Sequence, residues 1–206
     1  MYARSTTFHG SPRTLDEGMS YVRDQVMPLV EQMDGCVGLS ALADPTSGRC
    51  IVTTAWESAD AMRASAEGVR ESRARAGEIL GAEPEIAEWE VSLLHRARPA
   101  DAGARTRVIW GLDDADRLDE AHDEMRTSIL PQLEELPGFC SVSFLVDRMS
   151  GRTATAVTYE SQAAMDQAND RAMAIRAEYA RSVGMEVTEV AEFDLVIAHL
   201  RVPELV

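Results

Sequence analysis

Apolar positions along the chain recur with two different periods, and the switches between them lay out its elements. After a polar-mixed extended stretch at 3–9, Leu15, Met19, Val22, Val26, Val30 and Met33 recur at helical spacing. Pro28 falls inside that helix and predicts a kink, because it removes one backbone hydrogen bond. Gly35 stops the helix, and two extended runs, 36–43 and 50–56, flank the turn Asp44-Pro45-Thr46-Ser47-Gly48. Ser58 is placed to cap a second helix whose inward stripe holds Met62, Val69, Ala76 and Leu80. A last strand, 89–95, alternates Trp89, Val91, Leu93 and His95 on one face with Glu90, Ser92 and Leu94 on the other.

The same order then returns. A shift of 103 residues lays Asp34 to Arg49 on Pro137 to Arg152, Pro28 on Pro131, and Trp56-Glu57-Ser58 on Tyr159-Glu160-Ser161. One inserted residue later, Ala87 to Arg96 matches Ala191 to Leu200. The chain divides on this reading into a first unit at 1–97, a linker at 98–105 and a second unit at 106–206. Each is an α+β, ferredoxin-like βαββαβ unit whose sheet carries both helices on one face. The other face needs a cover, so the two units are expected to pack sheet to sheet as a barrel within one chain.

Composition narrows the field of functions. Of the 206 residues, 20 are basic, all of them arginine, against 35 acidic, a net charge of −15. Such a surface repels phosphate backbones and anionic head groups, so neither nucleic acid nor membrane is an expected partner. No apolar run approaches the roughly 18 residues of a membrane span, and the first residues lack the apolar core of a signal peptide, which points to the cytoplasm. Cys36, Cys50 and Cys140 have no disulfide or zinc spacing and read as small strand residues.

The internal proline of the first helix, the exit Leu136-Pro137-Gly138-Phe139, the Ser-Gly-Arg hairpin turn and the strands ending Trp-Glu-Ser or Tyr-Glu-Ser together resemble the dimeric α+β barrel superfamily. Within it the likeness is to the antibiotic biosynthesis monooxygenase family, here as a tandem duplication. The resemblance implies a pseudo-dimer in one chain, with association into a further homodimer left open. It also implies a cavity between sheet and helices for a small aromatic molecule. By the same resemblance the activity would be a monooxygenation of a polycyclic quinol or anthrone by dioxygen, with no cofactor and no metal. The alternative it leaves is a non-catalytic small-molecule-binding or stress-related barrel. The haem-degrading branch expects an Asn on the first strand and an iron-binding His on the second helix, and neither is found.

Candidate site residues concentrate in the second unit. His122 falls in the inward series Leu118, His122, Met125, Ile129, where the first unit has Met19, and a buried neutral imidazole suits a general base. Tyr159 and Asn169 are candidate donors to a developing oxyanion. Trp110, Trp56 and Arg107 are the candidate substrate-binding residues, the tryptophans by stacking and the arginine by charge. Each has a plainer reading: core packing for the aromatics, pairing with surface acids for Arg107 and its counterpart Arg4, and a solvated helix face for Asn169. His95 and His199 recur at the ends of the last strands, where a structural role outweighs a metal role. The run 67–75 reads as a solvated helix face.

Overall fold

The computed structural model describes residues 1–200; the end of the expected second unit, 201–206, lies outside the described residues. β1 (Tyr2–His9) leads into α1 (Leu15–Tyr21), a π-helical turn (Val22–Val26) and α2 (Met27–Glu31). β2 (Cys36–Ala43), β3 (Arg49–Trp56), α3 (Ala59–Gly68), α4 (Arg70–Leu80) and the long β4 (Glu85–Arg96) follow. Then come β5 (Arg105–Leu112), a 3₁₀ turn (Ala115–Arg117), α5 (Leu118–Glu124), a second π-helical turn (Met125–Ile129) and α6 (Leu130–Glu134). β6 (Phe139–Asp147), β7 (Arg152–Tyr159), α7 (Gln162–Val183) and β8 (Glu186–Leu200) complete the chain. No described helix is long and apolar enough to cross a membrane.

The chain forms two compact units, and the described part of unit 1 is not contiguous in sequence. Unit 1 is Met1–Trp89 with the described chain from Phe193, and unit 2 is Glu90–Glu192. In unit 1, β3 pairs antiparallel with β1 and β2, and the free edge of β2 takes the end of β8, Ala43 opposite Asp194. In unit 2, β7 pairs with β5 and β6, and β6 takes the end of β4, Arg96 opposite Ser141. At 12 and 15 residues, β4 and β8 are long enough to begin in one unit and finish in the other. A strand supplied in this way pairs the edge of β2 or β6, whose peptide groups would otherwise lack partners.

Local chemistry accounts for the elements. Ser58 and Ser161 cap α3 and α7, each accepting from the backbone N–H three residues on. Pro28 and Pro131 stand in the first turn of α2 and α6, directly after the π-helical turns. Proline has no N–H to give the carbonyl four residues back and its ring crowds that oxygen, so the disturbance expected there takes the form of one widened turn. The hairpin turns share a further device. Asp44 accepts from the Thr46 N–H at 2.8 Å and the Ser47 hydroxyl at 2.5 Å, while Asp147 accepts from Ser150 at 2.6 Å and pairs with Arg152 at 2.8 Å. Gly151, at φ 74°, passes so close to the Asp113 carbonyl that a Cβ would lie 2.0 Å from it.

Two expectations change. The second helix of unit 1 is broken at Val69 into α3 and α4, whereas α7 runs unbroken for 22 residues. Gly68, at the break, has Met33 pressed so closely on it that a Cβ would lie 2.8 Å from the methionine methyl. The alternation expected along 89–95 fails because a bulge between Val91 and Leu93 shifts the register, and Leu93 and His95 follow Phe144 and Val142 on β6.

Each unit has its own core between sheet and helices. Unit 1 buries Phe8, Leu15, Met19, Val22 and Leu39, and unit 2 buries Leu118, Met125, Phe139, Phe144 and Met165. At about 1.5–3 kcal/mol for each large side chain, this burial holds the helices on the sheet. Cys50 and Cys140 are buried and Cys36 half-buried, and burial pushes the Cys50 thiol up to about 12, which makes it unreactive.

Candidate functional site

The helices of each unit stand off one sheet face and leave a narrow cavity of about 40 Å³ in unit 1 and about 50 Å³ in unit 2. Such a volume has room for a few water molecules. The π-helical turns contribute to both walls, through Val22 and Val26 in unit 1 and Met125 and Ile129 in unit 2. The strands contribute Arg4 and Thr6 in one and Arg107 and Ile109 in the other, alternate residues on the inward side of β1 and β5.

The two strand arginines are buried, at 3% and 6% exposure, and both are held by a glutamate. Arg4 meets Glu88 at 2.8 Å, and Arg107 meets Glu192 at 2.6 Å. Thereafter they differ. Arg4 gives Nη1 to the Ser65 hydroxyl at 2.9 Å and Nη2 to the Met62 carbonyl at 2.6 Å, so every guanidinium nitrogen has an acceptor. Arg107 gives Nη2 to the Asn169 side-chain oxygen at 3.0 Å, but its buried Nη1 has no hydrogen-bond partner. The residue in the place of Ser65 is Ala168, which has nothing to offer it. Leaving a buried charged donor unpaired costs on the order of 1–3 kcal/mol, so this nitrogen is a strong point of attachment for an acceptor.

Tyr159 lines the unit 2 cavity and is 1% exposed. Burial pushes its phenol up from the ordinary value, against the pull of the Arg107 charge, so at neutral pH it is an O–H donor. Its hydroxyl makes no hydrogen bond with another described residue. Trp56, its counterpart, is fully buried and lies off the unit 1 lining; its indole N–H goes to Thr54 at 3.0 Å, and the threonine lines the cavity. Arg176 and Arg73 complete the polar walls, and neither makes an ion pair or side-chain hydrogen bond with any described residue. Burial and then the nearby Arg4 charge pull Arg73 below the usual arginine value, as expected of two cations facing one cavity.

The remaining expected residues are placed differently. His122 is half-buried and off the cavity lining, its Nδ1 2.8 Å from the Ser92 hydroxyl on β4. Ala121 takes the inward place beside it, fully buried, and its carbonyl accepts from the Tyr179 hydroxyl at 3.0 Å. Tyr179 lines the cavity where unit 1 has Ala76, and neither His122 nor its counterpart Met19 is in a cavity lining. Trp110 neighbours Ile109 on β5 and so points to the opposite sheet face, away from the cavity. Asn169 touches Arg107 rather than lining the cavity, so it positions the guanidinium. His95 pairs with Glu134 at 2.8 Å and His199 with Glu31 at 2.7 Å, tying strand ends to helices. Among the described residues no three His, Cys, Asp or Glu side chains gather as a metal-ligand set.

The patterns along the chain missed Glu192, Arg176 and the part played by Ala168. Arg73 lay in a run read as a solvated face, and its recurrence as Arg176 was the one available signal.

No family model matches the chain. It is 46% identical to the uncharacterized protein Rv2557 of Mycobacterium tuberculosis over 206 residues, covering all of this chain and 92% of that protein. To the uncharacterized protein Rv2558 of the same organism it is 48% identical over 207 residues, covering all of this chain and 88% of the other. Among solved structures it is similar to a candidate monooxygenase of Fusobacterium nucleatum, with TM-score 0.70, 14% identity and coverage of 99% and 95% of the two chains. An anthrone oxidase-like protein matches with TM-score 0.62 at 14% identity, over 99% and 94%. A ferredoxin-fold protein of Listeria monocytogenes, related to antibiotic biosynthesis monooxygenases, matches with TM-score 0.52 at 12% identity, over 100% and 96%. At these identities the likeness is one of fold: the chain has an α+β fold shared with these proteins, one of which is a ferredoxin-fold protein related to antibiotic biosynthesis monooxygenases. By its identity over nearly the whole of both proteins, the chain belongs to the family of Rv2557 and Rv2558.

Proposed function

We propose that the unit 2 cavity is a small-molecule site in which the chain acts as a monooxygenase on an aromatic substrate of the quinol or anthrone class, with dioxygen as oxidant. The observation that carries this reading is the buried, unpartnered Nη1 of Arg107 on the same wall as Tyr159. These donors suit a substrate oxygen that gains negative charge when the substrate loses a proton. The anion then gives one electron to dioxygen, and the resulting radical and superoxide combine to a peroxide. Loss of water leaves a carbonyl, so that a CH₂ group and O₂ become C=O and H₂O. Among the described residues the lining holds no His, Asp, Glu or Cys, so the proton goes to water and the Arg107 charge favours its loss. Met125 and Met185, flexible side chains in the wall, would have to turn aside for a ring system larger than the present volume.

Duplication is part of the same proposal. Apart from Phe8, each residue lining the unit 1 cavity has its counterpart 103 positions on in the lining of unit 2, among them Arg4 and Arg107, Val22 and Met125, Arg73 and Arg176. A second reading, a non-catalytic binding protein, is favoured by that lack of a base in the lining. Oxygen uptake decides between them. With an anthrone or a reduced naphthoquinone, uptake above the spontaneous rate is expected, and Tyr159→Phe should lower it about tenfold by removing one charge-stabilising donor. No excess uptake across such a panel rejects the oxygenase and leaves the binding protein.

A further inference from the structure

The two cavities are built on matching positions, yet only one keeps a buried cationic donor unpaired. Four observations converge on unit 2. Arg107 is 6% exposed and its Nη1 has no partner. Its remaining contacts, to Glu192 and Asn169, hold the guanidinium in place from the other side. Arg176, on α7, lines the same cavity without an acidic partner, in a chain where acids outnumber basic residues 35 to 20. Apart from Thr155, Tyr159 and Tyr179, the rest of the lining, including Ile109, Ile129, Leu133, Val157 and Ile175, is apolar. A mostly apolar cavity that an arginine enters from the sheet and another lines from α7 matches a planar anion on an apolar body, for which arginine is suited by its fork of donors.

Unit 1 has the same arginines and the opposite outcome. Ser65 accepts from Arg4 Nη1 at 2.9 Å and donates its own O–H to the Met62 carbonyl at 2.7 Å, which closes the network internally. A ligand there would have to break a satisfied bond before making its own.

We propose that the unit 2 cavity, opened by Met125 and Met185 turning aside, takes a monocarboxylate with an apolar, ring-sized body, its carboxylate received by Arg107 with Arg176 supplying further positive charge, and that Ala168 in unit 2 against Ser65 in unit 1 decides which cavity binds. This deepens the site named above but involves no oxidation, so its test is binding alone. Titration calorimetry of the full chain with benzoate and 1-naphthoate, and with the matching neutral amides, reads it directly.

One carboxylate per chain is expected, with the amide at least about tenfold weaker, since a hydrogen bond to a charged group carries a tenfold difference or more. Ala168→Ser gives Arg107 an internal acceptor and should weaken carboxylate binding about tenfold, while Ser65→Ala frees Arg4 and should raise the stoichiometry from one to two. Thermal melting checks that both variants are folded, and both are small changes that spare the buried ion pairs. Equal affinity for acid and amide, or unchanged affinity in Ala168→Ser together with one site in Ser65→Ala, overturns the proposal. Selective carboxylate binding without oxygen uptake rejects only the oxygenase, and oxygen uptake without carboxylate selectivity rejects only this proposal.

Discussion

At the scale of single residues, the working parts of the molecule are buried polar groups whose partners decide their role. Arg4 and Arg107 were visible as a recurring pair, and so was Tyr159, because a polar residue among apolar strand positions stands out. Nothing along the chain shows that Ser65 reaches Arg4, since the contact spans 61 residues and exists only when α3 lies on β1. His122 misled for a similar reason: helical spacing fixes a face only approximately, and its ring meets Ser92 on β4 while the adjacent Ala121 takes the buried place. The hairpin aspartates give a test at this scale. Burial by itself would raise Asp147, but bonds from Ser150, Arg152 and the Met149 N–H outweigh it and hold the carboxyl at about 2. An unfolded Asp titrates near 3.9, so the stability it contributes is complete above that pH and is lost as pH falls toward 2. Asp147→Ala should melt about 2–4 °C below the parent at pH 7, a gap that closes between about pH 4 and pH 2 in thermal melts. A gap that stays constant over that range would contradict the assignment.

At the scale of elements, period and punctuation were enough to find the helices, strands and caps, and the proline positions marked the π-helical turns without revealing their form. The break at Val69 and the bulge beside Ser92 escaped, because both answer to tertiary pressure: Met33 against Gly68 in one case, and the pairing of β4 with β6 in the other. The exits from α2 and α6 were legible for a physical reason. Gly35 and Gly138 adopt φ of 73° and 65°, and at Gly138 a Cβ would stand 2.4 Å from that of Ala164. Gly138→Ala therefore combines a left-handed backbone with a clash against the capped start of α7, and a loss of at least about 2 kcal/mol is expected. Thermal melting should show a fall of roughly 4–8 °C, and an unchanged melting temperature would mean the helix exit is free to adjust.

At the scale of the whole molecule, a near-repeat was readable from the 103-residue offset, but the exchange of strand ends was not. β4 and β8 carry no sequence mark at the points where they leave one unit and enter the other. The exchange is written in pairing instead: His199 meets Glu31 in unit 1 just as His95 meets Glu134 in unit 2. The two cavities have nearly equivalent linings, and the small differences between them are what the proposed binding preference rests on. A net charge of −15 repels anions at long range, so any anion bound must be held at short range by the arginines inside. The most direct measurement is a crystal structure of the full chain soaked with 1-naphthoate. The expected result is one ligand, in unit 2, with its carboxylate within hydrogen-bond distance of Arg107 Nη1. A ligand bound in unit 1 alone, or in unit 2 with its carboxylate turned away from Arg107, would contradict the account.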